Sequence, residues 1–249
     1  MEVQHVLIFW GGLLVPMLGW SQPDTLLLAQ DEHFILGETG DDPSPDLNAY
    51  GAFVIDLGGD SVRTCGDFPC TGWVEDRYPN GRLKHRGFYD SGHLTVYKNY
   101  HPNGAIEREY KAIDEVKSVM RSWHSNGMQR SETRFADGAS YMYEDRYLNG
   151  QLRYAEERDR NDPFFVRMEL YAASGEPISL LKLMDRGQRE FEQQEFHPGG
   201  KLKCSGHSRY NAAHMDSQRI GMWTYYDAAG IKVREEDYID GKVHAERNF

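Results

Sequence analysis

Tyr78-Pro79-Asn80-Gly81-Arg82-Leu83 decides the reading of this chain, because its Asn-Gly pair returns at Asn103-Gly104, Asn126-Gly127 and Asn149-Gly150, 23 residues apart each time. Asn-Gly is the strongest short hairpin signal. A type I′ turn needs two successive residues at positive φ, which Asn tolerates and Gly adopts without penalty. A fixed spacing means that one structural unit is repeated, and the repeat has to be read before anything else.

A second turn falls inside each unit. Gly92 stands eleven residues after Gly81 and twelve before Gly104, and Gly138 stands likewise between Gly127 and Gly150. Asn161-Asp162-Pro163 begins eleven residues after Gly150, and Gly230 and Gly241 are again eleven apart. Such intervals leave strands of about seven to nine residues. Successive turns then lie on opposite edges. The expected fold is all-β: an elongated antiparallel meander of stacked β-hairpin repeats with a period of about 23 residues.

The segments between turns carry strand chemistry. Leu94, Val96 and Tyr100 share one parity, as do Tyr141, Tyr143 and Tyr147, while Trp223 and Tyr225 oppose Ile220, Met222, Thr224 and Tyr226. Aromatic and β-branched residues alternating with charge suit a half-buried pleated surface. From Gly104 to Gly127 the side chains Ile106, Tyr110, Ile113, Lys117 and Met120 would also line a helix. The unbroken register, with Asp114-Glu115 where the second turn is due, favours strands. Beyond Gly150 the glycines step by 25 to Gly175 and Gly200, then by 30 to Gly230. That places an insertion between Gly206 and Gly221, looped at residues 211–217. The turn register predicts that Gly127→Val costs far more than Gly175→Val, since a branched residue resists positive φ.

The front of the chain differs. Val6 to Leu18 is apolar and is followed by Gly19-Trp20-Ser21, which fits a signal peptide at residues 1–21, cleaved before Gln22; an uncleaved anchor and a buried segment are the alternatives. The n-region lacks Lys and Arg. Residues 22–68 read as a linker leading to a capping strand at Ala52–Leu57, and residues 69–249 as the repeat domain. Tyr (15) outnumbers Phe (11), which suits a thin sheet with amphipathic faces. A net charge of −11 argues against nucleic acid as partner and against attachment to anionic lipid.

Candidate chemistry is sparse. His101, His124 and His197 each stand three residues before a repeat glycine, in a column that Tyr78 and Tyr147 share. A metal could be imagined there, but neighbouring hairpins set equivalent residues about 10 Å apart, too far for one ion. Cys65 and Cys70 enclose a short loop that either closes as a disulfide in an oxidising compartment or, with Cys204 and His207, offers zinc ligands at unsuitable spacing. Glu107, Glu132 and Glu156 read as members of cross-strand ladders with Arg and Lys. No nucleophile elbow, zinc-protease helix or phosphate loop occurs.

Gly72-Trp73 followed by Tyr78-Pro-Asn-Gly-Arg-Leu resembles the MORN-repeat variant of bacterial proteins of the YwqK type. So does Gly221-Met-Trp-Thr-Tyr-Tyr-Asp-Ala-Ala-Gly230 followed by Glu235-Glu-Asp-Tyr-Ile-Asp-Gly241-Lys242. The resemblance covers roughly residues 70–249. It implies stacked hairpins, no catalytic activity and no cofactor; such proteins are often labelled antitoxin components. With the leader, the expectation is an exported, non-enzymatic protein, periplasmic, outer-membrane-associated or secreted. Its sheet would bind another protein, a glycan or an envelope component. Neutralising a toxin and an envelope hydrolase are the alternatives.

Overall fold

A computed structural model describes residues 45–249. The expected export signal and the front of the linker lie outside the described residues. A small hairpin, β1 (Thr64–Cys65) and β2 (Phe68–Pro69), precedes the main sheet. The first third of that sheet is β3 (Gly72–Arg77), β4 (Leu83–Asp90), β5 (His93–Tyr100), β6 (Ile106–Ala112) and β7 (Lys117–Trp123). Then come β8 (Gln129–Ala136), β9 (Ala139–Arg146), β10 (Leu152–Arg158), β11 (Phe165–Tyr171) and β12 (Pro177–Asp185). The last are β13 (Glu190–Phe196), β14 (Leu202–Asn211), β15 (Asp216–Tyr226), β16 (Lys232–Ile239) and β17 (Lys242–Asn248). All 15 pair antiparallel with their sequence neighbours in one sheet, so the protein is an all-β meander of hairpins. The stretch with a helical alternative is β6 and β7, with Tyr110 opposite Met120. Asp114 Oδ1 closes their connection by accepting from the Val116 and Lys117 N–H groups.

The Asn-Gly reversals stand where expected but not in the expected conformation. Gly81, Gly104, Gly127 and Gly150 have φ from +80° to +92°, whereas the asparagines before them stay at negative φ. Gly81 N donates to Tyr78 O and Tyr78 N to Arg82 O, both at 2.8 Å. That pattern is a type I turn whose third loop residue, glycine, occupies the left-handed region. A type I′ turn at Asn80-Gly81 would put Pro79 in the closing pair, and proline has no N–H to give. Proline suits the second position of a type I turn instead. The same loop closes at Ala172–Glu176, His197–Lys201 and Asp227–Ile231. Type I′ geometry belongs to the opposite edge, at Ser91-Gly92, Asp137-Gly138 and Asp240-Gly241, where both residues have positive φ.

Most turns bring a bulge, the β6–β7 connection excepted, and bulges break the simple alternation. Between Phe88 and Tyr89 the register shifts, so Leu94 pairs with Tyr89 and shares a face with Tyr97, while Val96 points the other way. The expected grouping of Leu94 with Val96 is therefore wrong. The insertion also differs from expectation. It lengthens β14 and β15 to 10 and 11 residues, leaving only residues 212–215 as the loop.

A one-layer sheet buries neither face, so a core forms only where another segment lies on it. The expected capping strand is not a strand. Residues 49–53 and 55–57 form 3-10 turns after a short helical turn at Pro45–Asn48. Leu47, Tyr50 and Val54 are spaced three and four apart, a helical rather than an alternating rhythm. They pack with Tyr89, Leu94, Tyr97 and Tyr110. Farther along, Phe164 from the β10–β11 connection covers Leu181, Phe191 and Tyr210.

Gly175 has φ +92° and Gly127 φ +85°, so the expected large difference between Gly127→Val and Gly175→Val has no backbone basis. A Cβ on Gly175 would also stand 3.0 Å from Gln151 Oε1, whereas one on Gly127 meets open space. We expect Gly127→Val and Gly175→Val each to cost about 1–2 kcal/mol, with Gly175→Val at least as damaging. Urea unfolding of the two variants checks this.

Candidate interaction surface

Residues opposite one another in an antiparallel pair share a face, so the register sorts the side chains. On the face away from residues 47–57, Glu75, Arg86, Lys98, Glu109, Arg121 and Glu132 are successive partners from β3 to β8. Arg86 lies 3.8 Å from Glu75, Lys98 3.1 Å from Glu109 and Arg121 2.8 Å from Glu132. Burial works against the Glu132 charge, yet hydrogen bonds from Arg121 and Arg134 hold its carboxyl below the usual range. Glu132 is thus the ladder member the sequence implied. Glu156 accepts from the Tyr154 hydroxyl at 2.8 Å and lies 3.8 Å from Arg158, both on its own strand rather than across it. Glu107 is buried beside Arg108, and burial pushes its pKa up.

Next to this charged row stand two aromatic residues. Trp73 is 57% exposed and meets Phe88, 37% exposed, edge to face at 5.6 Å. The Arg86 guanidinium lies 4.9 Å from the Trp73 ring. Strand alternation puts them there: Val74 and Tyr89 go to the covered face, so Trp73 and Phe88 face outward.

The covered face holds a polar network that the sequence did not reveal. Tyr50 stacks on His85 at 3.8 Å, and its hydroxyl donates to Asp76 at 2.5 Å. Arg63 grips both Asp76 oxygens at 2.9 and 2.7 Å and donates to the Tyr89 hydroxyl. Asn99 Nδ2 donates to Leu47 O, so its Oδ1 faces His85 Nδ1, which carries the proton. Tyr89 then donates to His85 Nε2 at 3.0 Å. Burial depresses the His85 pKa to about 4. Desolvation opposes the Asp76 charge, but Arg63 and Tyr50 hold its carboxyl low. Only the spacing of Leu47, Tyr50 and Val54 hinted at this docking. A related clamp lies in the C-terminal half, where Arg219 reaches Glu195 at 3.1 Å and stacks 4.1 Å from Trp223. Asp76 and Glu195 both stand five residues before a turn glycine.

The histidine column has a structural use. His101 Nε2 lies 2.9 Å from Trp123 O, His124 Nε2 3.1 Å from Arg146 O, and His197 Nε2 2.9 Å from Tyr226 O. A carbonyl only accepts, so Nε2 carries the proton in each. Tyr78 and Tyr147 place hydroxyls on Tyr100 O and Tyr171 O in the same way. Tyr and His are interchangeable at these five turns because either ring delivers one donor to the next reversal. Cys65 and Cys70 are joined as a disulfide, and Cys204 is buried and free, its thiol pushed up to about 12 by burial. Among the described residues no group of three or more His, Cys, Asp or Glu is placed to hold a metal.

No known family profile and no curated protein matches the chain. Among solved structures, a mutant of S. aureus TarM in complex with Fondaparinux, alpha-GlcNAc-glycerol and UDP is similar at a TM-score of 0.23 and 12% identity. The match covers 45% of this chain and 20% of that one, and so small a likeness carries no argument about function.

Two outcomes follow from these contacts. His124→Tyr should retain stability within about 0.5 kcal/mol, while His124→Phe should lose about 1–2 kcal/mol by leaving Arg146 O without its donor. Thermal melts of both variants distinguish them. A histidine with a depressed folded pKa contributes stability that is full above its unfolded value and falls as pH drops toward the folded one. For His85 the window runs from 6.5 down to about 4, a loss on the order of 3 kcal/mol. Glu107 acts in the opposite sense, so the comparison of wild type with His85→Gln across that window isolates the imidazole. The variant should show the shallower loss.

Proposed function

We propose that the protein is an exported, non-enzymatic repeat protein of the MORN-repeat variant type that binds another protein through the uncovered face of its sheet. The observation that carries this reading is the outward-facing trio of Trp73, Phe88 and Arg86 beside a row of charges. Tryptophan and arginine are the residues that most often dominate binding energy, and an exposed aromatic pair gives contact area at little entropic cost. The flanking charges supply register and partner choice rather than bulk affinity. Fourteen strand spacings make a surface roughly 67 Å long, over which many weak contacts can add. The acidic balance, with a net charge of −11, disfavours nucleic acid and anionic lipid as partners.

The test is capture from a cell-envelope fraction with tagged protein, beside Trp73→Ala and Arg86→Ala. One stoichiometric partner is expected with wild type, and each variant should weaken its binding about tenfold or more. Equal capture by all three would contradict the reading.

A further inference from the structure

The repeat that builds this sheet also sets four copies of a chemically labile dipeptide along one edge. In an Asn-Gly pair the glycine nitrogen can attack the asparagine side-chain carbonyl carbon. The new N–Cγ bond closes a five-membered imide, the Cγ–Nδ2 bond breaks, and ammonia leaves with the displaced proton. Water from solvent then opens the ring to aspartate or isoaspartate, with no change of oxidation state. Glycine favours the attack because no side chain shields its nitrogen.

The nucleophile is engaged alike in all four turns. Gly81, Gly104, Gly127 and Gly150 each donate their N–H at 2.8 Å to the carbonyl three residues back. The carbonyl side of the amide is also alike, since Oδ1 of each asparagine accepts from the backbone N–H two residues on, at 2.9–3.0 Å. The leaving group differs. Asn103 Nδ2 donates to Ser125 O, Asn126 Nδ2 to Leu148 O and Asn149 Nδ2 to Ala173 O, at 2.9–3.1 Å. Each of these side chains is tied at both ends and must break two bonds before Cγ can turn toward the glycine nitrogen.

Asn80 is tied at one end. The acceptor equivalent to Ser125 O is Pro102 O, and the Arg82 guanidinium occupies it at 3.0 Å. Among the described residues, Asn80 Nδ2 has no partner.

We infer that Asn80 is the site of spontaneous deamidation in the folded protein, and that the side-chain ladder protects Asn103, Asn126 and Asn149. The outcome at each position matches its protection. An aspartate at 80 still accepts from the Arg82 N–H. A carboxylate at 103, 126 or 149 sets oxygen against a backbone carbonyl oxygen and unties two reversals.

The experiment incubates the full chain at mildly alkaline pH and follows all four sites by peptide mapping with mass spectrometry, in buffer and in urea. Arg82→Ala is followed in parallel, because it vacates Pro102 O for the Asn80 amide. In buffer, Asn80 should convert about fivefold faster than each of the others, the factor that one net hydrogen bond supplies. In urea the four rates should converge, and in Arg82→Ala the Asn80 rate should fall to that of its sister sites. Equal rates in buffer, or an Asn80 rate unchanged by Arg82→Ala, would overturn the inference.

Discussion

A hydrogen bond from a turn ring to the backbone of the next turn ties this structure together. Tyr78, His101, His124, Tyr147 and His197 each reach the carbonyl just before the following reversal. Asn103, Asn126 and Asn149 add a second tie on the same edge. A meander of one layer has no opposing sheet to hold its strands in place, so neighbour must fix neighbour. Strand ladders do this along the length of each hairpin, and the turn side chains do it at the rim. Stability in such an array is a sum of local terms, and a lesion in one turn is felt by the next.

The two faces of the sheet have become unlike. One is covered at its start by Leu47, Tyr50 and Val54 and later by Phe164, and under the first cover Tyr50, Asp76, His85 and Asn99 hydrogen-bond among themselves and to the covering segment. Arg63 and Arg219 each close over a carboxylate there, on Asp76 and Glu195. The other face keeps Trp73 and Phe88 outward beside a row of mixed charge. Covering one side and leaving the other open turns a symmetric ribbon into a surface with a direction. That asymmetry underlies the proposed binding role.

Much of this architecture could be read from residue order, and the failures have physical causes. Asn-Gly at fixed spacing located the reversals because few other residues accept positive φ. Their turn type departs from the expectation: Pro79 and Pro102 forbid the two-residue closure and suit the three-residue loop, and the turns with Ser125 and Leu148 in that place close in the same way. Faces were misassigned near Leu94 because a bulge after each tight turn inserts a residue that alternation cannot foresee. The segment at Ala52–Leu57 looked like a strand from its apolar run, but its docking depends on Tyr89 and Tyr97, which are distant in sequence. His101, His124 and His197 were already too far apart for one ion, but the carbonyls they serve lie a repeat away in sequence and were not legible. Exposure of Trp73 was not legible either, since parity alone does not say which face is covered.

The central claim is that reversals follow one another along a single edge at two strand spacings per repeat. Spin labels at Pro102, Leu148 and Pro198, all at the second position of a turn, measure it through pairwise electron–electron distances. Four strands separate the first pair and eight the second, so separations of about 19 Å for 102–148 and about 38 Å for 102–198 are expected. Distances that fail to grow with the number of intervening strands would contradict the account.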